Sequence, residues 1–320
     1  FALLDGPGQL AALSEQSRRL AQRAVANHWR DIKSGAAVAK PLPVAINDDS
    51  FQRSANWSWS EADSRLRIMR AEHPDDPAIK MMWATHLHAK YVKHGTKLFR
   101  TGTETCAEDE AEIERLVLGS LDFAQERPEH AVMAAKLLYF VNQGYRDLSL
   151  ELARKAHRAD ASLTSTLAIL GQLLGFTGDM EAAETYLRQA VHLSEPKSSA
   201  QIYALFMLIQ AHTAAGEREK QAAALKQLYR INPLLIPVFD QLFTDPVTPS
   251  LRARAMTLVL KRAQATAMLR NITYLSARLY ADPRHRENAL LAPANLFVKR
   301  FGPSVVPDEA AIHLPGLIRP

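Results

Sequence analysis

Residues Leu163–Pro196 read LTSTLAILGQLLGFTGDMEAAETYLRQAVHLSEP, and the fold turns on how that stretch divides. Leu167, Leu170, Gly171 and Leu174 recur at helical spacing before Gly178-Asp179, and Ala183, Leu187 and Ala190 do so after it. The spacing predicts two antiparallel helices joined by a tight turn, the second stopped by Pro196. Small residues at Gly171, Ala183 and Ala190 let the backbones approach, while Leu170, Leu174 and Leu187 fill the space that remains.

The pattern recurs. Gly144 precedes Gly178 by 34 residues, and Ala156 precedes Ala190 by the same interval. Gly216 and Pro233 bracket a further second helix, EREKQAAALKQLYRINP, with the glycine 38 residues after Gly178. The surplus of four is expected in the polar connection at Ser194–Ser199. Upstream, a helix ending at Pro74 is followed by one from Pro77 to His94 that carries Trp83, Leu87 and Tyr91 on one stripe. Gly95, Gly144, Gly178 and Gly216 are each expected to close a first helix in the left-handed conformation, which glycine adopts at least cost. Alternation of small and large residues at this period resembles the tetratricopeptide (TPR) repeat over roughly residues 57–234. The resemblance implies an all-α fold, a right-handed α-solenoid of helical hairpins with a helical C-terminal cap.

A chain of 320 residues with 47% hydrophobic content can bury a large core. No apolar stretch reaches the roughly 18 residues that span a bilayer, so no membrane partner is expected. Phe1 in place of methionine suggests a fragment or a processed product. The single cysteine, Cys106, excludes an internal disulfide and suits the reducing cytoplasm. Net charge is +5, but it is unevenly spread. Residues 101–130 hold nine acidic side chains against Arg115 and Arg127, whereas residues 251–300 hold ten lysines and arginines against Asp282 and Glu287. The two stretches are either solvated faces or matched surfaces that meet within the chain or between copies of it.

In order, the chain divides into an N-terminal helix and linker (1–56), the repeat array (57–234), a helical cap over the last repeat (235–300) and a proline-rich tail (301–320). Residues 9–33 read as an amphipathic helix and 34–56 as a long connection. Ser60 reads as an N-cap behind Trp57 and Trp59, which are expected to staple onto the next helix and could alternatively stack on a ligand. A long polar linker is predicted at Thr96–Ala107, then helices at about 108–126 and 129–143. Ser250 reads as the cap of a helix, and the tail is expected to lie along the body through Val305, Val306 and Leu314 or to dock on a neighbour.

Nothing in the sequence points to an enzyme, a cofactor or a metal. His86 and His88 lie two apart and face different ways on a helix, and no zincin, P-loop, dinucleotide or nucleophile-elbow motif is present. Cys106 has no basic residue nearer in sequence than Arg100 to activate it. In a TPR array the first helices line the concave face. The resemblance therefore implies a groove formed by Met82, Thr85 and Lys93, then Leu138, Val141 and Asn142, then Gln172 and Phe176, then Tyr203, Phe206 and Gln210. About half are expected to be exposed. A lining of apolar and amide groups suits a peptide or a small effector. The phrases HPDDPA (His73–Ala78) and GDMEAAETYLRQAVHL (Gly178–Leu193) resemble the C-terminal halves of bacterial OmpR-type winged-helix transcription regulators. That likeness implies a sensor or partner-binding part whose DNA reader lies elsewhere, with no direct nucleic-acid contact from this chain. The competing expectation is a structural adaptor that self-assembles or recruits proteins through its acidic and basic ends, with an empty groove.

Overall fold

A computed structural model describes residues 59–141, 143–315 and 317; the expectations for the 9–33 helix, the linker to residue 56, Trp57 and Asn142 lie outside them. All regular elements in the described residues are helical. They are α1 (Trp59–Glu72), α2 (Pro77–Thr101), α3 (Cys106–Leu118), α4 (Leu121–Gln125), α5 (Pro128–Val141), α6 (Arg146–Ala159), α7 (Thr164–Thr177) and α8 (Met180–Leu193). There follow α9 (Ser199–Ala215), α10 (Arg218–Ile231), α11 (Ile236–Phe243), α12 (Leu251–Leu258), α13 (Arg262–Leu279), α14 (Pro283–Phe301) and α15 (Asp308–Ala311), with short 3-10 turns at Gln143–Tyr145, Pro233–Leu235 and Pro303–Val305.

The central hairpin forms as its sequence dictates. Gly178 has φ 103°, and its N–H and that of Asp179 both reach back to the Leu174 carbonyl, at 3.1 and 2.9 Å. The Asp179 carboxylate then accepts from the Ala182 N–H at 3.2 Å, starting α8. Gly171 permits the close approach: a Cβ there would stand 2.8 Å from Leu187 Cγ and 3.1 Å from the Ala183 carbonyl. Leu187, Ala183 and Ala190 are completely buried.

Hairpins α5/α6, α7/α8 and α9/α10 repeat this unit, and each first helix also packs on the next, from α2 through α5 and α7 to α9. Each second helix in turn packs on the following first helix, α3 on α5, α6 on α7 and α8 on α9. The result is a solenoid-like stack in which every hairpin covers the apolar side of its neighbour, one continuous core running from Leu66 to Tyr280. The helix starts Arg146, Met180 and Arg218 keep the expected intervals of 34 and 38 residues. The surplus does not fall in the connection, however. α9 has 17 residues against 14 in α7, so most of it lengthens a helix, and the polar segment Ser194–Ser198 merely bridges.

Two of the four glycines expected to close a first helix do not take the left-handed conformation. Among the described residues positive φ is confined to Gly102, Gly178, Gly216, Gly302 and Lys197. Gly95 sits inside α2, which runs on to Thr101 because nothing from Thr96 to Arg100 breaks a helix; Gly102, with φ 64°, closes it instead. The linker thus shrinks from the expected Thr96–Ala107 to Gly102–Thr105. Gly144 lies in the 3-10 turn that joins α5 to α6. The helix expected over 108–126 is interrupted at Gly119-Ser120. Ser60 lies within α1 and does not stand ahead of it as a cap.

The C-terminal region also departs from expectation. Instead of lying over the last repeat alone, it folds back along the whole stack. α13 packs on α2 and α5, while α14 packs on α9, α11 and α12. At their junction the Tyr139 hydroxyl donates to the Leu279 carbonyl at 3.1 Å, and the Ala281 N–H donates to the Phe176 carbonyl at 3.1 Å. Further on, Asn288 Nδ2 donates to the Ala214 carbonyl at 2.7 Å. Tyr139, Phe176 and Ala214 all sit at the C-terminal ends of first helices, so the returning pair crosses those ends in sequence. Gly95 is needed here, because a methyl group on it would overlap the Asn271 amide of α13. Ser250 caps α12 as expected, accepting from the Ala253 N–H at 3.0 Å. The tail buries Val305, Val306 and Leu314 in a second core with Leu269, Leu290 and Phe297, which bears out its predicted course along the body.

Candidate functional site

The first helices α2, α5, α7 and α9 carry the described members of the expected groove, and the structure separates them into three environments. Thr85, Gln172, Phe176 and Tyr203 are buried, as are Met82 and Leu138; Val141, Phe206 and Gln210 are half-buried, and only Lys93 is exposed. The expectation that half would be open does not hold. Thr85 donates to the carbonyl one turn back, Met81, at 2.8 Å. Phe176 meets the edge of Tyr280 at 5.3 Å beneath the returning C-terminal pair. Phe206 stacks on Phe239 of α11 at 5.1 Å. Lys93 lies 5.9 Å above the Trp59 ring, and that indole is itself stacked on His86 at 4.0 Å, so Trp59 belongs to α1 and packs on α2 instead of preceding a cap and stapling its own helix.

One group of residues does converge. The Tyr203 hydroxyl donates to Gln172 Oε1, joining α9 to α7. The ammonium of Lys136, on α5, lies 4.8 Å over the Tyr203 ring. Three successive first helices thus contribute a cation, an aromatic hydroxyl and an amide to one buried layer. Lys136 is 6% exposed, with no ion pair or hydrogen bond from its ammonium among the described residues. Burial brings its pKa down from 10.5 to about 7. Burial, and then the Lys136 charge, hold His88 well below the ordinary imidazole range, and burial pushes Tyr203 up. His88 in turn meets Phe140 edge-on at 4.7 Å.

Lys136 was absent from the expected groove, yet its sequence carries a signal. It is the only charged residue in AVMAAKLLYFV, Ala131–Val141, a run that otherwise reads as pure core. A charge placed there must be buried or the helix must turn a face outward, and α5 is buried on nearly all sides.

A second polar cluster lies where α8, α9 and α10 meet. One ligand-type atom each from Glu184, His212 and Glu217 falls within 4.8 Å of the others. Lys220 and Arg188 already pair with these carboxylates, Lys220 Nζ lying 2.9 Å from Glu184 and 3.0 Å from Glu217 and Arg188 Nε 2.7 Å from Glu184. His212 Nδ1 bonds Glu217 at 2.7 Å, while its buried Nε2 has no partner among the described residues. A metal on Nδ1 would leave an Nε2–H without the acceptor that histidine ligands ordinarily have. The cluster is therefore read as an ion-pair staple between hairpins. Elsewhere the Cys106 thiol is half-buried and its pKa is raised, chiefly by burial.

The acidic and basic stretches do meet within the chain. Glu110 on α3 receives Arg278 Nε and the Tyr274 hydroxyl of α13, both at 2.5 Å, and the Arg278 guanidinium lies 3.9 Å over the Tyr274 ring. No helix in the described residues is long and apolar enough to cross a membrane.

The class defined by these features is an all-helical, repeat-like domain of stacked hairpins. No protein-family model matches the chain, and no curated protein is significantly similar to it.

Proposed function

We propose that this chain is a non-enzymatic TPR-type interaction and sensor domain, of right-handed sense. It takes a peptide or small effector along its first helices as the cytoplasmic part of a bacterial transcription regulator. The observation that carries the reading is the buried Lys136–Tyr203–Gln172 layer. An ammonium buried in a helical stack against an aromatic ring, with no carboxylate beside it among the described residues, is costly, and an apolar side chain of the same length would pack there at no such penalty. A polar layer spanning three repeats at that cost suits recognition better than stability. The amide and hydroxyl can serve a ligand's backbone-like groups, and the ammonium an acidic one. The regulator role is supported by the likeness of His73–Ala78 and Gly178–Leu193 to the C-terminal halves of winged-helix regulators.

Native mass spectrometry of the chain isolated from a bacterial host tests the reading. The expected result is an added mass retained by the wild type and lost from Lys136→Met, with both melting cooperatively. The bare polypeptide mass in both would overturn it.

A further inference from the structure

Six of the ten large apolar side chains left most exposed among the described residues fall between Leu234 and Val259. Leu251 and Leu258, 78% and 66% exposed, lie seven apart on α12 and so share one stripe of that helix, with exposed Arg254 and Ala255 between them. Val259 follows, 74% exposed. Around this stripe Arg252, Arg254, Lys261 and Arg262 are exposed, and the sequence holds no acidic residue between Asp245 and Asp282. Arg252 is engaged by Asp240 at 2.8 Å, and Arg262 by Ser304 and the Phe301 carbonyl, each at 2.6 Å. Arg254 and Lys261 have no ion pair among the described residues.

A surface of mostly opposite charge lies on α3, α4 and the residue that ends α4. Glu108, Asp122 and Glu126 are exposed there without an ion pair among the described residues, Leu118 is 39% exposed, and of the two exposed arginines in the stretch Arg115 is held by Glu112 while Arg127 sits beside Glu126. Among the described residues the ion pair Arg278–Glu110 is where the acidic and basic stretches meet. Both of these remaining surfaces stay open in the same molecule, so they do not cover one another.

We infer that a second copy of this chain covers the apolar and basic face of α12 with its own acidic α3–α4 face, giving a head-to-tail association. Opposite charges steer the encounter and the leucines supply the desolvated contact. Two different patches make the contact heterologous, so a copy that is bound at one face leaves its other face open to the next.

Sedimentation of the full chain tests this. Association is expected near 0.01 M salt and is lost toward 1 M, as the Debye length shrinks from about 30 Å to about 3 Å. Charge reversal then decides the partner face. Arg254→Glu with Lys261→Glu should be monomeric, as should Asp122→Lys with Glu126→Lys, each folded by circular dichroism because the side chains are exposed. An equimolar mixture of the two should recover the wild-type sedimentation at low salt. A wild type that stays monomeric at low salt would overturn the inference. So would a mixture of the folded variants that stays monomeric, because the acidic face would then not be the partner.

Discussion

The α7/α8 hairpin and the packing of α13 on α2 both depend on close approach at a glycine, but the two glycines differ in reach. Gly171 admits Leu187, sixteen residues away in the same hairpin, and Gly178 makes the turn between the two helices. Gly95 admits Asn271, which belongs to a helix at the far end of the chain. The first arrangement is local and is repeated along the stack. The second is a single long-range closure that ties the first hairpin to the last and covers the C-terminal ends of the helices between them. A stack of hairpins can be extended indefinitely, whereas a stack with a return strap cannot, so the strap fixes its length.

The strongest way to sharpen the contrast is to weaken the local side of it. Leu187→Ala leaves a cavity where a fully buried side chain faced Gly171, and should cost roughly 2–5 kcal/mol in chemical denaturation. A near-zero cost would mean the hairpin is not the unit of stability.

A second prediction separates stability from recognition. Lys136 is held near pKa 7 in the fold and reverts to about 10.5 on unfolding, so the unfolded chain binds the extra proton between those values. The sign follows: stability gains as pH rises through that window, and the penalty is largest below it. Relative to Lys136→Met, which has no proton to lose, the wild type should gain about 1.4 kcal/mol per pH unit from 7 toward 10. The variant should be the more stable of the two at neutral pH. A pH-independent difference would mean that the ammonium is solvated or paired.

The smallest effect is expected at the turn. Gly178→Ala places a side chain at φ 103° but in otherwise open space, the nearest atom being His285 Cε1 at 3.7 Å, so about 1 kcal/mol of backbone strain is expected by the same denaturation measurement.

What could be read from the residues follows the same division. The central hairpin, its 34-residue recurrence and the buried tail positions Val305, Val306 and Leu314 were legible, because periodicity and turn chemistry act over a few residues. Gly95 was not, since a glycine that ends a helix and a glycine that admits a crossing helix look alike until the crossing helix is known. The same blindness explains the groove. Phe176 and Tyr203 sit on the first helices that the repeat assigns to a lining, but Phe176 is met by Tyr280 from far along the sequence and Tyr203 by Gln172 and Lys136 of the two preceding first helices. The acidic and basic bias did announce a meeting of surfaces, and Glu110 with Arg278 realises it, though charge counts alone cannot select that pair from nineteen candidates. Lys136 carries the sharper signal, because one lysine in an apolar run marks a buried polar site more strongly than the amides Asn142, Gln172 and Gln210 do.

The strapping of the C-terminal pair back onto the first hairpin closes the fold. It is tested most directly by a cysteine pair, Gly95→Cys with Asn271→Cys, in a Cys106→Ser background. The Asn271 side chain already reaches the place a Gly95 side chain would take, so the geometry suits a disulfide. The account predicts a monomeric cross-link under mild oxidation, seen as faster migration on a non-reducing gel and reversed by reductant. Free thiols at both positions in the folded, oxidised protein would contradict it.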